Sequence, residues 1–134
     1  MNIEYIIVQA GGKGTRLEHL TKNKPKAIVP VNNLPMIFHL FRKFPDKRFI
    51  IIGDYKKDVL RKYLKCFAKV KYILVEAEGN GTCAGIKNAL EFVPENTPFM
   101  MIWSDLILPS EYVLPEEYSN YVGISSTFPC RWSF

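Results

Sequence analysis

A glycine-rich segment that carries two cations follows the first apolar run of the sequence. Residues 5–8 are apolar and lead directly into Gln9, Ala10, Gly11, Gly12, Lys13, Gly14, Thr15, Arg16 and Leu17. Glycines allow backbone N–H groups to converge on an anion without interference from a Cβ. Lysine adds a point charge, and arginine can bind phosphate oxygens through two parallel hydrogen bonds. The segment therefore predicts a phosphate-binding loop, and the alternative is a flexible turn between a strand and a helix.

Two common phosphate loops do not fit this segment. A Walker A loop requires Gly-Lys followed by Ser or Thr, but Lys13 is followed by Gly14. A dinucleotide fingerprint requires glycine or alanine three residues after Gly14, where this chain has Leu17. The sequence therefore disfavours both a P-loop NTPase and an NAD-binding domain.

One carboxylate follows an apolar run at a position where it could bind a metal ion. Asp105 follows Ser104 and the apolar run 99–103. Mg²⁺ is commonly held by one or two carboxylates together with substrate phosphates. Asp105 is therefore a candidate magnesium ligand, and the alternative is a carboxylate that caps the turn formed by residues 106–110.

These residues are embedded in an alternation of strands and helices. Apolar runs predict strands at 5–8, 48–52, 70–75 and 99–103, with a fifth candidate at 121–126. Helices are predicted at 36–44, along a basic amphipathic segment from residue 56, and at 82–92 with Thr82 as N-cap. Nearly continuous apolar strands separated by helices are typical of an α/β fold with a Rossmann-like, mostly parallel sheet and helices on both faces. In such sheets ligands bind beyond the carboxyl ends of the strands, so the glycine loop, the segment before Thr82 and Asp105 can meet on one edge.

Composition limits the class of protein. A chain of 134 residues predicts a single domain over 1–134. No apolar run approaches the roughly 18 residues that span a bilayer, and the N-terminus lacks a basic leader, so we expect neither a membrane segment nor a signal peptide. Cys66, Cys83 and Cys130 form no CxxC pair and predict buried, reduced thiols in a cytoplasmic protein.

The net charge of +5 comes partly from the basic segment 56–65. Its apolar residues recur at helical spacing, and most of its cations fall on the other face, as in a solvated helix. Tyr63 is the one aromatic residue of this segment and falls with its apolar residues, so no aromatic platform interleaves with the cations and we expect no nucleic-acid partner. A nucleic-acid-binding face over 56–71 is the weaker alternative. A positive balance also suits an enzyme whose substrates are all phosphorylated.

The motifs together resemble a known family. After the loop Ala10 to Leu17 the chain has Leu20-Thr21, Pro25-Lys26 and Pro30-Val31, and further matches reach Asp105. This pattern is similar to the signature of nucleotidyltransferases that make nucleotide-activated sugars and related headgroups. The glucose-1-phosphate thymidylyltransferase type is the familiar member, and CTP-using phosphocholine-type cytidylyltransferases are included. Members are markedly longer, so the resemblance implies a fold of the nucleotide-diphospho-sugar transferase type that is truncated here.

The resemblance implies a reaction and a set of roles. An NTP and a phosphorylated sugar or headgroup would give a nucleotide-diphospho product and pyrophosphate, for capsule, lipopolysaccharide or headgroup biosynthesis. Asp105 would bind Mg²⁺, Arg16 would clamp the leaving pyrophosphate portion, and Lys26 would reach the phosphates from the other side. The family's second magnesium aspartate lies farther downstream, and no residue here matches it. A non-catalytic NTP-binding module is therefore the alternative function.

The resemblance assigns base recognition to residues 76–82, in which Gly81 and Thr82 are the family's mark, and to the main chain of Gln9 and Ala10. Many thymidylyl and uridylyl members have glutamine where Glu76 stands. An ionised carboxylate only accepts hydrogen bonds, so Glu76 favours cytosine and disfavours adenine, while guanine would also suit a carboxylate. We expect a pyrimidine NTP. The aromatic residues at 130–134 suggest a homo-oligomer.

Overall fold

The computed structural model describes residues 1–77 and 81–124, which form an α/β fold. Two 3₁₀ segments, Thr15–Thr21 and Lys26–Ile28, follow the first strand. The remaining elements, in chain order, are β1 (Tyr5–Gln9), β2 (Pro30–Val31), β3 (Leu34–Pro35), α1 (Met36–Lys43), β4 (Arg48–Gly53), α2 (Lys57–Phe67), β5 (Lys71–Glu76), α3 (Thr82–Leu90) and β6 (Phe99–Trp103).

The main sheet has the strand order β5-β4-β1-β6, and its neighbouring strands all run parallel. The two short strands β2 and β3 form a separate antiparallel hairpin. The prediction of a mostly parallel sheet is confirmed. The first strand along the chain lies between β4 and β6, so loops from three different parts of the sequence meet beyond its carboxyl end.

Alternate residues of β1 face two hydrophobic clusters, and this places helices on both faces of the sheet. Ile6 and Val8 pack into a cluster that includes Leu40 of α1 and Leu60 of α2. Ile7 packs on the opposite face, in a cluster that includes Ala89 of α3. Both faces of a covered parallel sheet exclude water, which explains why its inner strands are apolar throughout.

The contact between α3 and β4 depends on a glycine. A Cβ added to Gly85 would lie 2.7 Å from Cγ2 of Ile52, whose side chain is almost completely buried. Because Cγ2 branches from the Cβ of a strand residue, it cannot move aside without displacing β4.

We expect Gly85→Val to lower the free energy of unfolding by about 2 kcal/mol, because overpacking forces the helix away from the sheet. Urea denaturation measures this change. Asn88→Val on the exposed side of α3 is the matched control, and we expect it to stay within about 0.5 kcal/mol of the parent chain. Equal stability of the two variants would show that Gly85 does not set the distance between helix and sheet.

Several details differ from the sequence-based predictions. Residues 121–124 do not form a strand, and the rest of the predicted fifth strand lies outside the described residues. Thr82 is the first helical residue, whereas Gly81 occupies the N-cap position with a φ of 83°. Cys66 and Cys83 are exposed free thiols, so the prediction of buried cysteines is wrong for both, while Cys130 lies outside the described residues. Exposure follows from their positions on the solvent sides of α2 and α3.

Within residues 1–77 and 81–124, no helix has the length and apolar character needed to cross a membrane.

Candidate functional site

A cleft of about 270 Å³ opens at the carboxyl edge of the main sheet, and we call it the inner cleft. It brings together most of the residues that the sequence singled out. Its lining includes Gln9, Gly11, Gly12, Lys26, Asp54, Ala77, Gly81, Thr82, Trp103, Ser104 and Asp105.

The strand order explains why this cleft forms. The chain leaves β1 toward the glycine loop, whereas β4 and β6, on either side of it, end at Gly53 and Trp103. Crevices at such points, where the strand order reverses, are the usual ligand sites of open α/β sheets. Asp54 and Asp105 follow these flanking strands and therefore stand on either side of the glycine loop.

The structure explains why two positions of the loop are occupied by glycine. A Cβ on Gly11 would lie 3.1 Å from the Cβ of Asp54, so a side chain there would crowd the neighbouring loop. Gly14 has a φ of 63°, in the left-handed region that glycine adopts without strain, and a Cβ there would lie 3.1 Å from the Cβ of Lys26. Both positions allow the loop to pack closely against the elements that carry Lys26 and Asp54.

Lys26 and Asp105 form an ion pair across the inner cleft, with 2.6 Å between Nζ and Oδ2. Their side chains are 30% and 37% exposed, so both groups remain accessible to a ligand. Lys26 begins a 3₁₀ segment directly after the buried Pro25, and this anchors the lysine backbone beside the loop. Lys26 is therefore not a solvated loop lysine, and Asp105 directs its carboxylate to Lys26. The ion pair joins the residues expected to bind phosphate and metal.

The other end of the cleft is formed by the start of α3. The side-chain amide of Gln9 donates to the carbonyl of Thr82, with 3.4 Å between the heavy atoms. Gly81 and Ala77 complete this end. The arrangement offers main-chain donors and acceptors that could read the edge of a base.

Glu76 does not line the inner cleft. Its carboxylate forms ion pairs with Arg61 and, at 3.8 Å, with Lys57, both of which belong to α2. Ala77, the next residue, lines the cleft instead. Ala10 is also outside the lining, because it is buried and its N–H donates to the carbonyl of Ile52 at 2.9 Å.

A second cavity of about 330 Å³ lies beside the glycine loop, and we call it the outer groove. It is lined by Lys13, Thr15, Glu18, His19, Thr21, Lys22 and Tyr55. Thr15 thus belongs to the outer groove rather than to the inner cleft. Arg16 is exposed and lines neither cavity. Gly14 of the loop packs against Lys26 and also lines neither cavity.

Asp54 lines the cleft, although its place in the sequence carries no predicted role. It follows the strand predicted at 48–52, so the rule that identifies Asp105, a carboxylate beyond the end of a parallel strand, also applies to Asp54. The strand order, which places β4 beside β1, is what shows that this carboxylate lies at the glycine loop.

Comparison with known proteins gives the family. The model of the family described as Nucleotidyl transferase matches residues 5–123, which is most of the chain. The chain belongs to the nucleotidyl transferase family. The resemblance inferred from the sequence motifs is therefore confirmed.

Two curated relatives and one solved structure show what the chain is similar to. The chain is 32% identical over 117 residues to the bifunctional protein GlmU of Methanocaldococcus jannaschii, covering 86% of this chain and 27% of that protein. It is 38% identical over 93 residues to the D-glycero-alpha-D-manno-heptose 1-phosphate guanylyltransferase of Campylobacter jejuni, covering 65% and 42%. The structure is similar to that of HddC from Yersinia pseudotuberculosis complexed with GMP-PN, with a TM-score of 0.65 and 26% identity, covering 78% and 51%. The chain spans less than half the length of these two curated relatives.

The side chains of this nucleotidyl transferase cleft suit a magnesium ion bound together with phosphates. Among residues 1–77 and 81–124 there is no cluster of three or more potential ligands from His, Cys, Asp and Glu. A self-sufficient metal cage is therefore not formed by these residues. Asp105 and Asp54 instead offer accessible carboxylates on either side of the glycine loop, with Lys26 beside Asp105, and this matches the preference of Mg²⁺ for one or two carboxylates plus phosphate oxygens.

Proposed function

We propose that the chain is the nucleotide-binding part of a magnesium-dependent nucleotidyltransferase. It would transfer NMP from an NTP to the phosphate of a sugar phosphate or a small phosphorylated headgroup and release pyrophosphate. One observation carries the proposal: the inner cleft places the glycine loop, Lys26 and Asp105 together at the carboxyl edge of the sheet. Membership of the nucleotidyl transferase family supports the class of reaction.

The chemistry requires positioning rather than a side-chain nucleophile. A phosphate oxygen of the acceptor attacks the α-phosphorus in line, a new P–O bond forms, and the bond from the α-phosphorus to the bridging oxygen of the β-phosphate breaks. Pyrophosphate leaves with that oxygen and its electron pair. Because the attacking phosphate is already anionic, the protein has mainly to align the partners and stabilise the growing charge.

The residues of the cleft divide this work. The backbone of Gly11 and Gly12 would bind the phosphate chain. When the nucleotide binds, Lys26 would leave its ion pair with Asp105 and pair with phosphate oxygens instead. Asp105 would then hold Mg²⁺, which supplies charge neutralisation and orientation of the phosphates. Arg16 lies outside the cleft in this structure, so its proposed role on the leaving pyrophosphate requires the segment after Gly14 to move.

We propose a pyrimidine as the base of the NTP. The sequence favours a pyrimidine, and the Gln9, Ala77, Gly81 and Thr82 end of the cleft provides a site for its edge. Guanine is the competing base, because its N1–H and 2-amino group both donate to a carboxylate and one named relative is a guanylyltransferase. To reach a base, Glu76 would have to leave Arg61 and Lys57.

Calorimetric titration of CTP, UTP, dTTP, GTP and ATP, each with Mg²⁺, tests the proposal. We expect one triphosphate to bind at least about tenfold more tightly than ATP, and binding to weaken when Mg²⁺ is removed. Pyrophosphate release with sugar phosphates or phosphocholine then identifies the acceptor. Failure of all five triphosphates to bind would contradict the proposal.

A non-catalytic nucleotide-binding module is the second candidate. It is the alternative that the sequence resemblance leaves open, because this sequence has no residue that matches the family's second magnesium aspartate. Selective NTP binding without pyrophosphate release from any acceptor would support it over the enzyme.

We further propose a cytoplasmic setting, where NTPs are available, and products that serve surface polysaccharide or headgroup biosynthesis. Homo-oligomerisation stays a prediction from residues 130–134, which lie outside the described part of the chain.

A further inference from the structure

The first end of α1 is attached to the segment that carries Lys26. The N–H of Met36, the first residue of the helix, donates to the carbonyl of Val29 at 3.0 Å. Val29 is the C-cap of the 3₁₀ segment that begins at Lys26, and its own N–H donates to the carbonyl of Lys26 at 3.0 Å. This 3₁₀ segment and α1 also bury side chains in the same hydrophobic cluster. The backbone of Lys26 is therefore fixed relative to α1.

The last residue of α1 is attached to the segment that follows Asp105. The ammonium group of Lys43 donates to the carbonyls of Pro109 at 2.8 Å and of Ser110 at 3.0 Å. Its Nζ also lies 5.9 Å from the centroid of the Tyr112 ring. Among the described residues Lys43 forms no ion pair with a carboxylate, so its charge is directed to these main-chain oxygens and to this ring. One helix thus connects the two segments whose side chains form the ion pair of the inner cleft.

The segment 106–114 needs such an attachment because it has no regular structure of its own. It contains neither a helix nor a strand. Several of its side chains pack against the hydrophobic cluster on the α1 side of the sheet: Leu106, Leu108, Tyr112 and Leu114. Apolar packing is not directional, whereas hydrogen bonds from a charged donor have a defined geometry and are stronger than neutral ones. The two bonds from Lys43 therefore set where this segment lies along α1.

The backbone of Asp105 is consequently constrained from both sides. Before it, the N–H of Ser104 donates to the carbonyl of Gln9 at 3.0 Å, which continues the pairing of β6 with β1. After it, the N–H of Leu106 donates to the carbonyl of Trp103 at 3.1 Å, and the chain then runs to the carbonyls that Lys43 holds.

We propose that Lys43 is a positioning residue for Asp105. By holding the segment that follows β6 against α1, it keeps the carboxylate of Asp105 in the inner cleft opposite Lys26. A carboxylate that is already in place loses less conformational entropy when it binds a cation, so outer contacts of this kind change metal affinity without touching the metal. The proposal rests on the proposed function in one respect, since that function names Mg²⁺ as the ion that Asp105 would bind.

Hydrogen exchange without any ligand tests the attachment. Lys43→Met keeps an unbranched side chain and removes the donors, and we expect the amide of Leu106 to exchange at least about fivefold faster in this variant, because the turn after Asp105 opens more often. Lys65→Met makes the same change at an exposed position in the last turn of α2. We expect this control to leave the exchange of Leu106 within about twofold of the parent chain.

The magnesium dependence of CTP and GTP binding tests the effect on Asp105. In Lys43→Met we expect the Mg²⁺ concentration at half-saturation to rise about fivefold, while nucleotide affinity at saturating Mg²⁺ stays within about twofold. A general loss of structure would lower both. Lys43→Arg keeps donors for the same carbonyls and is expected to restore the parent values. If Lys43 acts through Asp105, Lys43→Met will have no further effect on the magnesium dependence in the Asp105→Asn background.

Unchanged exchange at Leu106 in Lys43→Met would overturn the proposal. So would faster exchange with an unchanged Mg²⁺ requirement, or a rise in that requirement that is as large in the Asp105→Asn background as in the parent chain. If neither nucleotide binds the parent chain in a magnesium-dependent way, the proposed function is contradicted, and the exchange of Leu106 still decides whether Lys43 holds the turn at Asp105.

Discussion

Asp105→Asn is expected to lower magnesium-dependent pyrophosphate release at least about 100-fold, because the substitution removes the charge that would hold Mg²⁺ against the phosphates. Folding is expected to be unaffected, since Asp105 is 37% exposed and pairs with Lys26 at the surface of the cleft. The measurement is turnover as a function of Mg²⁺ concentration, with the free energy of unfolding determined in parallel.

Asp46→Asn is the matched control for this prediction, because it makes the same chemical change at an exposed turn before β4, at the opposite end of that strand from the cleft. We expect it to retain the parent activity. If the parent chain releases no pyrophosphate, the same comparison is made with magnesium-dependent nucleotide affinity. Activity of Asp105→Asn within a few-fold of the parent would remove Asp105 from the metal site.

Arg16→Ala is expected to reduce turnover by a similar factor of about 100, because the variant loses a cation that would stabilise the leaving pyrophosphate. The guanidinium is exposed and has no ion pair among the described residues, so the free energy of unfolding should change by less than about 0.5 kcal/mol. Pyrophosphate release and urea denaturation check the two halves of this prediction.

Two further variants sharpen the test of Arg16. Arg42→Ala removes an exposed arginine from α1 and should leave turnover unchanged. Arg16→Lys keeps the charge but loses the bidentate geometry, so we expect it to recover only part of the activity. Because Arg16 lies outside the inner cleft, its role also requires movement of the loop. Turnover of Arg16→Ala close to that of the parent would mean that no such movement contributes.

Much of the fold could be predicted because the core strands are apolar on both faces. Residues 5–8 and 49–52 have that pattern, and the structure places strands at both. Residues 70–75 include the exposed Lys71, because β5 is an edge strand, and the structure places a strand there as well. The predicted helix ends agree with the structure to within about two residues, which is the usual uncertainty of a helix end because terminal turns fray. The 3₁₀ segment Thr15–Thr21 was not predicted, because its geometry depends on Gly14 and on contacts of Thr21 with distant residues such as Tyr55.

The candidate site was predictable as a set of loops and less so as a set of side chains. The glycine loop and Asp105 follow strands of the same parallel sheet, so the sequence required them to meet at one edge. Asp54 could not be placed at the site from the sequence, because its proximity to Gly11 depends on which strand lies next to β1. Sequence spacing does not contain that information, since any strand order is compatible with the same apolar runs.

The amino-acid sequence predicted a phosphate-binding loop, the carboxylate that follows β6 and the sheet edge where they meet, because these follow from residue types and from the direction of parallel strands. Tertiary packing determined which of the adjacent residues at the end of β5 lines the inner cleft. Successive residues of a strand point to opposite faces. Val75 and Ala77 pack toward α3, and therefore Glu76 turns to Arg61 on α2 and away from the inner cleft. A shift of one residue in that alternation would exchange Glu76 and Ala77, and only the folded contacts of β5 fix which of them reaches the site.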